Sequence, residues 1–262
     1  MSSIEIVEHP LSPYAQKLKI ALDEKGIAYS ATLPDGIGSG DTPSLAGESF
    51  RGEVPVLRID GHSLFDSAVI LDFIEERWPD PALLPADPLA RAHAREIEEV
   101  CDTHYEAISW GLGEIRFFGR AKGELADKME AEAAAQIGRL NAWLETRLGD
   151  QDWFGGDRFG FADICAAPFV QGAAGFGNAP ATGSRLESWL ARVRERPSAA
   201  KSFAAAAAVA PSMTDVASLV ESGLFKRQYR DHRLEWMIRT GGIEIVQAGL
   251  EKNNIRFNSE PS

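Results

Sequence analysis

Four prolines within ten residues, Pro79, Pro81, Pro85 and Pro88, divide this 262-residue chain into two parts with different hydrophobic periods. Proline fixes φ and lacks a backbone donor, so neither a helix nor an inner strand continues through such a stretch. Ahead of it, short β-rich alternations and helical spacings take turns; behind it, only the helical spacing recurs. The expected organisation is a mixed unit over 1–79, a linker over 80–88, an all-helical unit over 89–217 and an extension over 218–262.

In the first unit Ile4-Glu5-Ile6-Val7 alternates as a strand does, and His9-Pro10-Leu11-Ser12-Pro13 turns the chain. Tyr14, Ala15, Leu18, Ala21 and Leu22 then follow helical spacing, with Ser12 at the N-cap, Pro13 at the first helical position and Lys25-Gly26 at the end. Ile27 to Thr32 suits a second strand, parallel to the first because a helix intervenes. Residues 34–52, rich in Gly, Ser, Asp and Pro, read as a loop or a poorly formed helix. Val54 to Ile59, Asp60-Gly61 and His62 to Phe65 form a predicted hairpin, since Asp-Gly tolerates the positive φ of a two-residue turn. Val69, Ile70, Phe73 and Ile74 share one face of a helix over Ser67 to Trp78.

Five helices are predicted behind the linker: Leu89 to Trp110, Leu125 to Leu148, Ala162 to Ala174, Ser184 to Arg196 and Ser198 to Val209. Glycines and aromatics over Gly111 to Gly119 predict a break between the first two, at a pocket lip. In the extension, the basic run Lys226 to Arg230 reads as a solvated face or an ion-pairing strip. A helix-like Leu234 to Ile238, a Gly241-Gly242 turn and Ile243 to Leu250 follow it.

With 27 Lys and Arg against 39 Asp and Glu, the formal charge of −12 excludes a general nucleic-acid binder and disfavours an anionic membrane surface. No run approaches the roughly 18 apolar residues of a membrane span. Cys101 and Cys165 are far apart, so neither a disulfide framework nor a thiolate metal site is indicated, and both are expected as small buried hydrophobes. His9 and His104, without a partner at ligand spacing, are expected to be structural or at the surface, and no metal is expected. The first residues lack the basic start and apolar run of a signal peptide, which points to a reducing cytoplasm.

Read residue by residue, the chemistry stays open. Ser12 suits a plain helix cap first, and otherwise a hydroxyl that stabilises a thiolate at a helix N-terminus. Pro55 suits an edge strand in trans, or a cis peptide. Asp66-Ser67 suits a helix cap, or an anion site at a helix N-terminus. Gly160 to Asp163 suits a capping box, a folding element.

Five segments, in this order over roughly residues 4 to 210, resemble the cytosolic glutathione transferases. They are Ser12-Pro13-Tyr14; Leu22 to Ile27; Gly52-Glu53-Val54-Pro55-Val56-Leu57; Asp66-Ser67; and Gly155 to Asp163. Ser12-Pro13-Tyr14-Ala15 and Cys165-Ala166-Ala167-Pro168-Phe169 look closest to tau-, omega- and lambda-like members. The resemblance implies a bacterial detoxification enzyme with an α/β thioredoxin-like N-terminal domain (βαβ-ββα), an all-α C-terminal domain, and glutathione as cosubstrate. It implies that Ser12 stabilises the thiolate, that Val54 ahead of a cis Pro55 pairs with the cysteinyl backbone, and that Asp66 and Ser67 hold the γ-glutamyl group. Many members place a basic residue just before Val-Pro for the glycine carboxylate; this chain has Glu53 there, with Arg51 as the substitute. Tyr14, Tyr105, Trp110, Phe117 and Phe118 are expected to line the pocket of a small apolar electrophile, in a homodimer. Serine rather than cysteine at position 12 favours conjugation over thiol transfer. The alternatives are a glutathione-dependent lyase or reductase and a non-enzymatic binding protein of the same fold.

Overall fold

The computed structural model describes residues 3–35, 45–211 and 216–257. Strand β1 (Ile4–Val7) is followed by helix α1 (Pro13–Glu24), β2 (Ser30–Thr32), β3 (Val56–Ile59), β4 (His62–Phe65) and α2 (Ser67–Arg77). The sheet order is β2-β1-β3-β4, with β1 and β2 parallel and the other pairs antiparallel. This is the expected βαβ-ββα order. Asp60 and Gly61 both take positive φ (50° and 79°), as a two-residue hairpin turn requires. Strand β2 is shorter than the expected Ile27 to Thr32. Strand β3 begins at Val56 because Pro55 has no N–H to give a ladder.

Ser12 caps α1, its Oγ accepting from Ala15 N at 3.3 Å, and Gly26 ends the helix at φ +67°. Helix α1 is buried from Tyr14 to Leu22 because α2 packs on it from one domain and the helices Phe161–Gly175 and Pro197–Val209 from the other. Ile6, Leu18, Ile20, Leu22 and Leu57 form the centre of this core. Leu45 closes a smaller cluster with Val7 and Val56; of the loop expected over 34–52, residues 36–44 lie outside the described residues. Lys25 clamps the connection, pairing with Glu75 at 3.1 Å and donating to the carbonyls of Trp78 and Pro81 at 2.7 Å.

The helical part contains α3 (Pro88–Val100), one π-helical turn (Cys101–Tyr105), α4 (Glu106–Arg116), α5 (Gly123–Leu148), α6 (Phe161–Gly175), α7 (Arg185–Glu195) and α8 (Pro197–Val209). The break expected over Gly111 to Gly119 falls at its end, over residues 117–122 between α4 and α5. The helix runs through Gly111 and Gly113 to Arg116, and its irregularity is the π turn ten residues earlier. Gly111 serves packing, because the Trp236 ring occupies the space of its missing Cβ.

The capping box is present: Gly160 N donates to Asp163 Oδ2 at 3.0 Å, while Asp163 Oδ1 accepts from Phe154 N at 3.0 Å and Trp189 Nε1 at 2.8 Å. Both cysteines are buried. Among the described residues no helix is long and apolar enough to cross a membrane.

The extension folds as α9 (Val216–Glu221), β5 (Arg227–Tyr229), α10 (Asp231–Thr240), α11 (Ile243–Glu251) and β6 (Ile255–Phe257), with β5 and β6 parallel. The strand pair was not evident in the sequence. The basic run is an ion-pairing strip, Arg227 pairing with the buried Glu114 and Arg230 with Glu53; beyond it, Arg233 pairs with the buried Glu106 at 3.0 Å. Tyr229 meets Trp110 edge-on at 4.7 Å, and Phe225 stacks on Phe118 at 6.1 Å. The extension thereby lies along α4 as part of the helical domain.

Candidate functional site

A cleft of about 190 Å³ opens where the first domain, the π turn and the extension meet. Its floor is the segment from Arg51 to Pro55 together with Asp66 and Ser67. The Val54-Pro55 peptide is cis, and Val54 precedes the first ladder residue of β3. Asp66 holds φ +74°, a region that non-glycine residues rarely occupy, and caps α2 by accepting from Ala68 N at 3.1 Å. Ser67 is buried as the first residue of that helix, where backbone N–H groups and the helix dipole favour an anion.

Charge on the floor is tightly paired. Arg51 contacts Asp66 at 2.5 Å and lies 3.3 Å from Glu53. Burial would raise the Asp66 carboxyl, but Arg51 and the helix N–H groups hold it below the usual range. Glu53 is half-buried, and Arg230 of the extension grips it through Nη2 at 2.5 Å and Nε at 3.2 Å. Burial opposes its charge, yet Arg230 and its neighbours hold Glu53 below the usual range, while Glu53 in turn raises Arg230.

The wall opposite comes from the π turn, a feature that re-aims side chains within a helix. It turns Asp102 and Thr103 toward the cleft. Tyr14 OH donates to Asp102 O at 2.7 Å. The fully buried Lys17 sits between Asp102 at 2.6 Å and Glu98 at 3.0 Å, so it faces the domain interface. Burial first, and then Glu98, push the Asp102 carboxyl up to about 6 although Lys17 pulls the other way. Arg230 and His232 close the cleft from the extension.

The structure thus brings Arg51, Val54, Pro55, Asp66, Ser67 and Tyr14 to one cleft. Ser12, half-buried, caps the helix that carries Tyr14 and is not among the residues that line the cleft. The other four aromatics are placed elsewhere, which corrects the expectation of an aromatic pocket. Tyr105 is in the core and donates to Asn141 Oδ1 at 2.7 Å; Phe117 packs on Phe176 at 5.6 Å. Trp110 and Phe118 are covered by Tyr229, Phe225 and the Arg227 guanidinium, 4.0 Å above the Phe118 ring. Asp102 and His232 were missed; Arg230, expected to meet substrate only if the extension folds over the pocket, lines the cleft. The signal for Arg230 was the unusual Glu53, an acid on the floor that demands a cation.

Residues 7–82 match the family model for the glutathione S-transferase N-terminal domain, and residues 100–197 match that for its C-terminal domain. The maleylacetoacetate isomerase of Pseudomonas aeruginosa is 32% identical over 201 residues, 73% of this chain and 90% of its own length. The chain belongs to the glutathione S-transferase family. Glutathione S-transferase U28 of Arabidopsis thaliana is likewise 32% identical to this transferase, over 64% of the chain and 71% of its own. Rice GST1, solved in complex with glutathione, superposes with a TM-score of 0.67 at 26% identity, covering 83% of this chain and 97% of that one. Both family models end ahead of residue 216, so the extension that closes the cleft of this transferase lies outside them.

Proposed function

We propose that this transferase binds glutathione across the cleft floor and presents its thiolate to a small electrophile. The supporting observation is that Val54-Pro55 and Asp66-Ser67, at the N-terminus of α2, line one cleft. Val54 backbone pairs antiparallel with the cysteinyl residue. Ser67 and the first N–H groups of α2 take the γ-glutamyl carboxylate, and Asp66 takes its ammonium. The sulfur then comes to the start of α1.

A hydroxyl has one donor and two acceptor positions, so Ser12 Oγ accepts from Ala15 N and still donates its hydrogen to the sulfur. This hydrogen bond and the positive end of α1 favour the thiolate, and the thiol proton leaves to solvent. A C–S bond forms as the leaving group departs with its electron pair, or as the attacked double bond takes up a proton.

Titration of glutathione into the protein by calorimetry tests the reading: micromolar-to-millimolar binding, weakened by Ser67→Ala, is expected. No binding by the unmodified protein overturns it. A steady-state assay of Ser12→Ala with an aryl halide is expected to show a loss of about tenfold or more in kcat/KM.

A second reading concerns the electrophile. The wall above the floor is lined by Glu99, Asp102, Thr103 and His232, which suits a small substrate with hydrogen-bonding groups better than an aromatic hydrocarbon. Comparing unsaturated carbonyl acids with aryl halides separates the two. The protein is further proposed to work in the cytoplasm in detoxification, as a homodimer, which the molar mass in solution at micromolar concentration tests.

A further inference from the structure

The C-terminal extension supplies a second cation to the cleft, beside Arg51 of the first domain. No Lys or Arg occurs between Lys25 and Arg51, and the residue just before Val54-Pro55 is Glu53. Arg51 is engaged by Asp66 at 2.5 Å. Arg230 reaches from between β5 and α10 to Glu53, and its guanidinium also lies 5.3 Å from the Tyr14 ring centroid. Both Glu53 and Arg230 line the cleft.

We propose that Arg230 binds the glycine carboxylate of glutathione, with Glu53 as the residue that positions its guanidinium. The inference rests on the binding mode proposed above. In an antiparallel pair the ligand residue after the one facing Val54 lies beside residue 53, and the one before it lies beside Pro55. Glycine follows cysteine in glutathione and so comes beside Glu53 and Arg230. The γ-glutamyl group comes to the Pro55 side, where the Val56-to-Phe65 pairing of β3 and β4 brings Asp66 and Ser67 alongside.

A guanidinium has five N–H donors, and Glu53 engages two nitrogens, leaving donors for a second carboxylate. Glu53 thus compensates the half-buried cation in the free protein and holds it at the end of the cleft where the tripeptide ends. Arg256 adds to the anchoring of the extension by donating to Gly52 O at 3.4 Å.

The experiment is a calorimetric comparison of glutathione with its glycine monoethyl ester, which keeps the peptide and removes the carboxylate charge. Both are titrated into the full chain and into Arg230→Gln, Arg230→Lys and Arg51→Gln. The unmodified protein is expected to prefer the acid by about tenfold, the size of one charge-assisted hydrogen bond. Arg230→Gln is expected to bind acid and ester alike, while Arg230→Lys and Arg51→Gln keep most of the preference.

If Arg230→Gln does not fold, the preference kept by Arg51→Gln carries the test, since Arg51 is the other arginine on the floor. A preference that survives Arg230→Gln, or that vanishes in Arg51→Gln, overturns the role of Arg230 alone. Failure of the unmodified protein to bind either ligand overturns the glutathione reading itself.

Discussion

The Trp236 ring rests against the backbone of Gly111: a Cβ built at residue 111 would stand 2.0 Å from Cζ3 and 2.5 Å from Cε3 of the indole. No side chain fits there, so a glycine in the middle of α4 is what lets α10 lie against it. In an exposed helix interior, Gly→Ala stabilises by roughly 0.5–1 kcal/mol. Here the sign reverses. Gly111→Ala is expected to displace Trp236 and to destabilise the protein by about 1–3 kcal/mol, the usual cost of overpacking. Urea unfolding measures the loss, and faster proteolysis confined to the region after α8 locates it. An unchanged midpoint with an unchanged digestion pattern refutes the packing account.

Glu106 is the electrostatic counterpart of that contact. Buried, it is held by Arg233 at 3.0 Å and His232 at 3.0 Å; burial is the largest single influence and would raise it, but Arg233 and His232 together outweigh burial and lower the carboxyl from 4.5 to about 2. A folded-state value below the unfolded one contributes stability that is present above pH 4.5 and is lost as pH falls toward 2. Removing the cation strands the anion. Arg233→Met is expected to cost about 3–5 kcal/mol at neutral pH and to flatten the acid limb of stability between these values. Urea midpoints taken at a series of pH values check both parts.

Asp163 works by hydrogen bonds. Its carboxylate joins three N–H donors, from Gly160, Phe154 and the Trp189 indole, so it ties the loop ahead of α6 to α7. Asp163→Asn keeps the shape but turns one acceptor into an N–H₂ that must face a donor. A loss of about 2 kcal/mol or more in unfolding free energy is expected, because a buried donor left unmet is costly. A neutral result in chemical denaturation would show that the loop rearranges to satisfy it.

How much was legible in the sequence follows from the range of the forces involved. Ser12-Pro13, Gly26 and Asp60-Gly61 act on their own neighbours, so the βαβ-ββα order could be read from local caps, turns and periods. Arg51, Val54 and Asp66-Ser67 belong to one hairpin and its flanks, and their convergence was accessible too. The pairings made by the extension were not. Arg230 meets Glu53 across 177 positions and Trp236 meets Gly111 across the domain, and no local period encodes such a pairing. Glycine at 111 looked like a helix break for that reason. The π turn was hidden likewise, because Cys101 to Tyr105 carries no residue that marks a change of winding.

Ser12 offers the sharpest test of the chemistry, because its two roles respond differently to one atom. As the N-cap of α1 it accepts from Ala15 N at 3.3 Å, and as the proposed thiolate donor it stabilises a sulfur it never bonds. Ser12→Cys replaces oxygen by sulfur at a helix N-terminus, where the dipole lowers the thiol pKa and the thiolate becomes a nucleophile in its own right. The cap weakens, at a cost of about 1 kcal/mol. In exchange the variant is expected to attack glutathione disulfide, forming a protein–glutathione disulfide and releasing one glutathione thiolate, which the original hydroxyl cannot do. Intact-mass measurement reads the added glutathione, reversible by a dithiol, and aryl-halide conjugation is expected to fall in the same variant. Absence of the adduct in folded Ser12→Cys protein would place residue 12 out of reach of the bound sulfur and confine Ser12 to capping.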